Sequence, residues 1–285
     1  MKINLILCIV LLISISGRSQ IKHGLRDAQG RHVVSRGFVV NTNDHKGEVF
    51  FNSDDYARMV RLGANSQVIR LELGKLSNFP GGSVEERYLM KLDTLVAHGK
   101  NAGMKTVFKM TVYGVDSFEW EPFWQNKKNE YNTYIDAWKV IWNRFSDESS
   151  VLGYDIVNEP RKLTMDISYT DLTTNYLIPL YQKIIDESHK INPDKKILLQ
   201  SIFMNKGEGI DNNQYAEITS PVNRKNIIFA PHIYQDKIDF IKPVMDRFDK
   251  ESELLQAPIF IGEWGVPHIC INRYPNLGRP RTVKV

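Results

Sequence analysis

The stretch Leu152-Gly-Tyr-Asp-Ile-Val-Asn-Glu-Pro160 decides how this chain is read. An apolar run of strand length ends on the polar pair Asn158-Glu159, and Pro160, which has no backbone N–H, closes it. Parallel sheets present their chemistry at the carboxyl ends of their strands, so a carboxylate in this place is a candidate catalytic group.

Outward from it, six further runs rich in β-branched residues, at 33–40, 67–73, 105–110, 196–202, 226–230 and 258–262, bring the candidate strands to seven. Stretches of helical period separate them. Ser53 is placed to cap a helix that stops near Gly63, and Ser83 with Glu86 forms a capping-box pattern ahead of a helix ending near Gly103. Further helices are expected at 131–145, 175–191 and 238–255, with Pro193 closing the fourth. The alternation predicts a parallel sheet, either a (β/α)8 TIM barrel or a doubly wound open sheet. No G-x-G-x-x-G and no G-x-x-x-x-G-K-[ST] occurs, so the phosphate cradles of the open-sheet nucleotide binders are missing and the barrel is preferred. The 285 residues suit one such domain. Twenty residues follow Gly265, rich in Pro, Arg and Asn, and they hold no credible strand and helix. The expectation is therefore a barrel truncated before its eighth strand and helix, with 265–285 an atypical tail.

Composition is that of a globular protein, with 42% hydrophobic and 25% charged residues. Residues 1–20 read as a signal peptide: Lys2 is the positive start, 3–15 the apolar run, and Ser14, Ser16 and Gly17 the small residues before cleavage near Ser19 or Gln20. The run is shorter than the roughly 18 residues needed to span a bilayer, so no membrane span is expected after cleavage. Residues 21–285 form the expected catalytic domain, secreted or periplasmic. Of 37 basic side chains Lys2 and Arg18 leave with the signal, and the remaining 35 against 33 acidic ones give no support to a nucleic-acid role. Cys8 departs as well, and Cys270 alone permits no intramolecular disulfide. No H-E-x-x-H, paired C-x-x-C or EF-hand loop is present, so neither metal nor cofactor is expected. A monomer is expected.

A second glutamate has the same placement as Glu159: Glu263 in Pro258-Ile-Phe-Ile-Gly-Glu-Trp-Gly265. The two end candidate strands four and seven. Hydrolysis of a glycosidic bond with retention needs one carboxylic acid to protonate the leaving oxygen and one carboxylate to attack the anomeric carbon, about 5 to 5.5 Å apart.

At these residues the sequence resembles the cellulase-type glycoside hydrolases of family 5, in the clan of barrel glycosidases whose acid and nucleophile lie on strands four and seven. The resemblance covers roughly residues 33–265 and implies a retaining mechanism. It makes Glu159 of Asn158-Glu159-Pro160 the proton donor and later base, and Glu263 the nucleophile. Asn158 would hydrogen-bond the sugar 2-hydroxyl. Arg70, in Val68-Ile-Arg-Leu71, matches the arginine that keeps the nucleophile ionised. His232 and Tyr234, in Ala230-Pro-His-Ile-Tyr234, match a histidine and tyrosine near nucleophile and sugar, with Tyr234 placed to donate to Glu263. The acid's carboxyl should titrate high while the nucleophile is charged and fall once it is esterified.

Trp120, Trp124, Tyr113 and Phe203 follow strands three and five and are either sugar platforms or loop packing. Trp138 and Trp142, four apart, read as core. The chain departs from the family where Phe108-Lys-Met-Thr-Val-Tyr113 stands in place of a histidine common after strand three, and where no eighth-strand tryptophan is found. The expected substrate is a β-linked polysaccharide or oligosaccharide, as for an endo-β-1,4-glucanase or mannanase, with glycolipid headgroups a neighbouring possibility. The rival class is a non-catalytic carbohydrate-binding or inactive remnant. A secreted α/β esterase would need a G-x-S-x-G elbow, which the sequence lacks.

Overall fold

The computed structural model describes residues 24–27, 29–42, 51–112, 115, 118–204, 215–234 and 238–265. The expected signal peptide, Tyr113, Cys270 and the tail beyond Gly265 lie outside these residues. Six strands, β1 (Gly37–Asn41), β2 (Ser66–Glu72), β3 (Lys105–Thr111), β4 (Val151–Asp155), β5 (Lys196–Leu199) and β6 (Ile227–Phe229), pair in parallel in that order. Past Pro231 the sixth run resumes as β7 (His232–Ile233), which pairs in parallel with β8 (Glu263–Trp264). Backbone bonds from Phe260 N to Phe229 O (2.8 Å), Gly262 N to Pro231 O (2.9 Å) and Gly265 N to Ile233 O (3.2 Å) keep the seventh run beside the sixth. Six of the seven expected strands are present, the first shortened to Gly37–Asn41; of the seventh, 258–262, only Ile259 bridges to Phe229 and the strand lies just beyond it at Glu263–Trp264, the whole wound as in a (β/α)8 barrel. Between β1 and residues 259–264 the described residues leave a cavity of about 950 Å³.

Helices α1 (Ser53–Arg61), α2 (Glu86–Asn101), α3 (Trp120–Gln125), α4 (Glu130–Phe145), α5 (Tyr169–Leu172), α6 (Ile178–Ile191) and α7 (Ile238–Leu255) fill the connections. Two start signals differ from expectation. Asn52, not Ser53, caps α1: its side chain accepts from Asp54 N and Asp55 N in a reciprocal box with Asp55. The Ser83–Glu86 box does not form, because α2 begins at Glu86 behind an uncapped Glu85 and Ser83 N is bonded to Gly74 O. Helix α3 had no separate sequence signal. The expected helix 175–191 is α6 together with the end of a π-helical turn, Thr173–Leu177, which continues back into α5. Pro179, at the start of α6, supplies no N–H and its ring would strike the carbonyl four residues back, which accounts for the wider turn there. None of the described helices is long and apolar enough to cross a membrane.

The main core lies between sheet and helices. Helix α4 turns Tyr134, Ile135, Trp138, Ile141, Trp142 and Phe145 inward at three- and four-residue spacing, and Trp138 stacks on Trp142 at 6.0 Å, so the core reading of both tryptophans holds. The Tyr134 hydroxyl (2.8 Å) and Trp138 indole N–H (3.1 Å) both donate to Ile156 O, tying α4 to the chain just before Asn158-Glu159. Gly153 lets β4 and β5 meet closely: a Cβ there would sit 2.2 Å from Lys196 O. A second, smaller core fills the barrel's inside with Val68, Val107, Leu198, Ile228, Ala230 and Phe260.

Candidate active site

The period of two along each strand builds the site on that inner floor. Two residues beyond Val68, Val107 and Leu198, the same strand faces carry Arg70, Lys109 and Gln200, and the register sets Arg70 beside Lys109 and Lys109 beside Asp155. A layer of polar and charged groups therefore rests directly on the apolar layer.

Glu263 is buried and both of its oxygens are engaged. Lys109 Nζ lies 3.0 Å from Oε1, and the Tyr234 hydroxyl donates to Oε2 at 2.5 Å, as the sequence led us to expect. Burial alone would raise the Glu263 carboxyl, but the positive charges of Lys109 and Arg70, that of His232 whenever its ring is protonated, and the Tyr234 bond outweigh it and hold the group far below the ordinary carboxylate range. Burial and the Glu263 charge push the Tyr234 hydroxyl well up, so it remains a donor.

Glu159 has a left-handed backbone, φ 46°, and its N–H donates to Gln200 Oε1 at 2.9 Å. Its Oε1 accepts from the Tyr215 hydroxyl at 2.9 Å and lies 3.0 Å from His232 Nδ1, while Arg161 Nη2 is 3.9 Å from Oε2. The expectation of a high-titrating acid needs correction for this geometry. Burial raises the Glu159 carboxyl, but the hydrogen bond of His232, its charge whenever the ring is protonated, and the Tyr215 hydroxyl outweigh burial and the Glu263 charge, leaving it below its ordinary value. One oxygen of Glu159, one of Glu263 and a ring nitrogen of His232 all lie within 4.8 Å of one another.

Those three groups converge closely enough to hold a metal ion, yet their donors are already used: Lys109 and Glu159 take the two His232 nitrogens, and Lys109 and Tyr234 take the two Glu263 oxygens. The cation in this position is an ammonium. Asn158 is tied down through its N–H to Met110 O at 3.1 Å, and its Oδ1 is buried without a hydrogen-bond partner among the described residues.

Trp120 and Trp124 are not platforms. They are 6% and 1% exposed, stacked on each other at 5.6 Å, and Trp124 donates its indole N–H to Arg161 O at 2.8 Å. They pack beneath the loop that follows Glu159. Phe203 is half-buried, edge-on to Tyr215 and covered by the Arg161 guanidinium 4.5 Å from its ring. Sequence reasoning missed four site residues: Lys109, Asp155, Gln200 and Tyr215. For Lys109 a signal existed, a lone cation inside an apolar strand and on the face of Val107; Tyr215 stands outside every strand and helix and offered none.

The sequence matches the family described as Cellulase (glycosyl hydrolase family 5) over residues 27–271. None of the curated proteins compared with it matches. Among solved structures, endo-glycoceramidase II from Rhodococcus sp. superposes with TM-score 0.69 at 19% identity, covering 85% of this chain and 68% of that one. An endogalactoceramidase gives TM-score 0.67 at 17% identity, over 86% of this chain and 67% of the other. The catalytic domain of the major endoglucanase from Xanthomonas campestris pv. campestris gives 0.63 at 16% identity, over 86% and 79%. At these identities the structures speak to the barrel alone. With a family match spanning most of its length, on that barrel, the chain belongs to glycosyl hydrolase family 5, the cellulase family, and is a glycoside hydrolase.

Proposed function

We propose that the protein is a retaining β-glycosidase acting by double displacement, with Glu263 as nucleophile and Glu159 as acid and then base. The observation that carries this reading is the approach of the two carboxyl groups, whose oxygens come within 4.8 Å. An inverting enzyme separates its carboxyl groups by roughly 6.5 to 9.5 Å to admit a water between sugar and base, and a retaining one does not. In the first step Glu263 bonds to the anomeric carbon while the Glu159 proton passes to the departing oxygen, giving a glycosyl ester and a free alcohol. In the second, Glu159 takes a proton from water, whose oxygen attacks the anomeric carbon and returns Glu263 as a carboxylate. Esterification removes the Glu263 charge, which in the free enzyme raises the Glu159 carboxyl, so Glu159 becomes a stronger acid and its carboxylate form is favoured when a base is required.

The substrate on this reading is a β-linked glycan of the β-1,4-glucan or mannan type. The names of the structural relatives span an endoglucanase and endo-glycoceramidases, so glycosylceramide belongs in the same panel. The pattern of residues 1–20 supports export to the periplasm or medium. The test is reducing-sugar release from β-glucan, cellulose, mannan, xylan and glycosylceramide, with Glu263→Gln as control and circular dichroism on both proteins. Release that vanishes in the variant, with the β-anomer formed first by NMR, supports the reading. An α-anomer formed first would overturn retention, and no release from a folded protein would favour a sugar-binding role.

A further inference from the structure

Lys109 is fully buried, lies 123 positions from His232 and 154 from Glu263 in sequence, and still touches both. Its Nζ is 2.8 Å from His232 Nε2, 3.0 Å from Glu263 Oε1 and 3.5 Å from Asp155 Oδ2. Three partners match the three donors of an ammonium, which has no acceptor. Buried between two carboxylates, the charge is paired on both sides. An ammonium can meet His232 only as a donor, so Nε2 must be the bare nitrogen and Nδ1 must carry the hydrogen. That hydrogen then points at Glu159 Oε1, 3.0 Å away.

This arrangement bears on where the acid's proton resides. An imidazolium carries N–H on both nitrogens and could not accept from Lys109. Without that block, His232 stands within reach of the Glu159 proton and a cationic imidazole beside a carboxylate would be a favourable pair. The part of the lowering of Glu159 that comes from a positive His232 is absent when His232 is neutral. We propose that Lys109 is a positioning residue that holds His232 in its neutral, Nδ1-protonated form, so that the proton for the leaving group stays on Glu159, while the same ammonium keeps Glu263 ionised. The proposal rests on the roles given to Glu159 and Glu263 above. The groups facing Glu263 are Lys109 and Asp155 from β3 and β4, Arg70 from β2, His232 and Tyr234 around β7, and Glu159 and Tyr215 from the loops. Of these, Lys109 alone touches both halves of the site through one atom.

Two measurements test it. Long-range proton–nitrogen NMR of the wild-type protein should find His232 with hydrogen on Nδ1 and a bare Nε2 at neutral pH; hydrogen on Nε2, or on both nitrogens, overturns the proposal whatever the activity. In Lys109→Met, which keeps length and removes charge, kcat/KM should fall roughly a hundredfold. Its bell-shaped pH profile should narrow from both sides, the acidic limb rising as Glu263 is released from the ammonium and the basic limb falling as His232 competes for the proton. A variant with a lowered melting temperature but unmoved limbs would reduce Lys109 to a structural residue and sink the idea. A wild-type protein that cleaves nothing would count against the glycosidase mechanism and leave the tautomer result standing.

Discussion

The backbone N–H of Glu159 donates to the side-chain carbonyl of Gln200 at 2.9 Å, and the amide nitrogen of that Gln200 lies 2.8 Å from both oxygens of Asp155. One neutral side chain thus links the strand-end turn carrying the acid to the buried carboxylate beside Lys109. Gln200→Leu leaves a part-buried N–H without its acceptor and strips the buried Asp155 carboxylate of its amide donor, leaving it only the Lys109 ammonium at 3.5 Å; each loss costs on the order of 1 to 3 kcal/mol. Urea unfolding should register a loss of roughly 2 to 4 kcal/mol, and kcat should drop at least tenfold because Glu159 is no longer held. Unchanged kcat in a destabilised protein would show that the turn is positioned by other contacts.

For Glu159 itself the expected signature is a dependence on the leaving group. Glu159→Ala should lower turnover of natural glycosides by about 10² to 10⁴, while an aryl glycoside whose phenol departs without protonation should form the glycosyl-enzyme almost normally. Azide, small enough for the vacated space, should then restore the second step and yield a β-glycosyl azide. An α-azide product would contradict the covalent intermediate on Glu263.

Trp124 separates packing from recognition. With its ring buried and its N–H bonded to Arg161 O, Trp124→Ala should cost about 3 to 5 kcal/mol in denaturant unfolding. KM of the molecules that remain folded should stay within a factor of two or so. A raised KM without lost stability would restore the sugar-platform reading.

A pH effect on stability comes from Glu251, a buried carboxyl on α7. Burial pushes the Glu251 carboxyl up to about 7, against the pull of Arg247, whose Nε is 3.4 Å from Oε2, and of Ile218 N, which donates to Oε1 at 2.6 Å; Glu217 adds to the rise and Ser201 opposes it. The folded protein therefore keeps a proton that the unfolded chain loses above the ordinary carboxylate range. Its contribution is complete below pH 4.5 and fades as pH rises through about 7. Unfolding free energy should decline over that window by up to roughly 3 kcal/mol, and Glu251→Gln should flatten the decline. A wild-type curve that is flat or rising there would disprove the assignment.

How far the sequence carried depended on whether a feature is local. Strand β4 and the run 258–264 announce themselves through β-branched residues and a terminal glutamate, and both catalytic candidates were found that way. Arg70, His232 and Tyr234 became legible through the motif order of a family. Lys109 stood in plain view but reads in one dimension as an interruption of an apolar strand; its meaning arises from partners on β4, β7 and β8, which no local pattern joins. Tyr215 reaches Glu159 across 56 positions. The platform reading of Trp120 and Trp124 failed for a related reason, since an aromatic after a strand looks alike whether it faces sugar or the underside of a loop. The unformed Ser83–Glu86 box reflects competition, with Gly74 O taking the Ser83 N–H.

The backbone of Glu159, with φ 46°, lies in a region that a side chain beyond Cα makes costly, by about 1 kcal/mol or more. Glycine would rest there without that penalty. Yet Glu159→Gly would exchange that strain for two buried donors left without their partner, the Tyr215 hydroxyl and His232 Nδ1, each costing on the order of 1 to 3 kcal/mol. The strained backbone is thus held in place by the very contacts of the side chain it presents, and a heat-selected library would be expected to keep this glutamate.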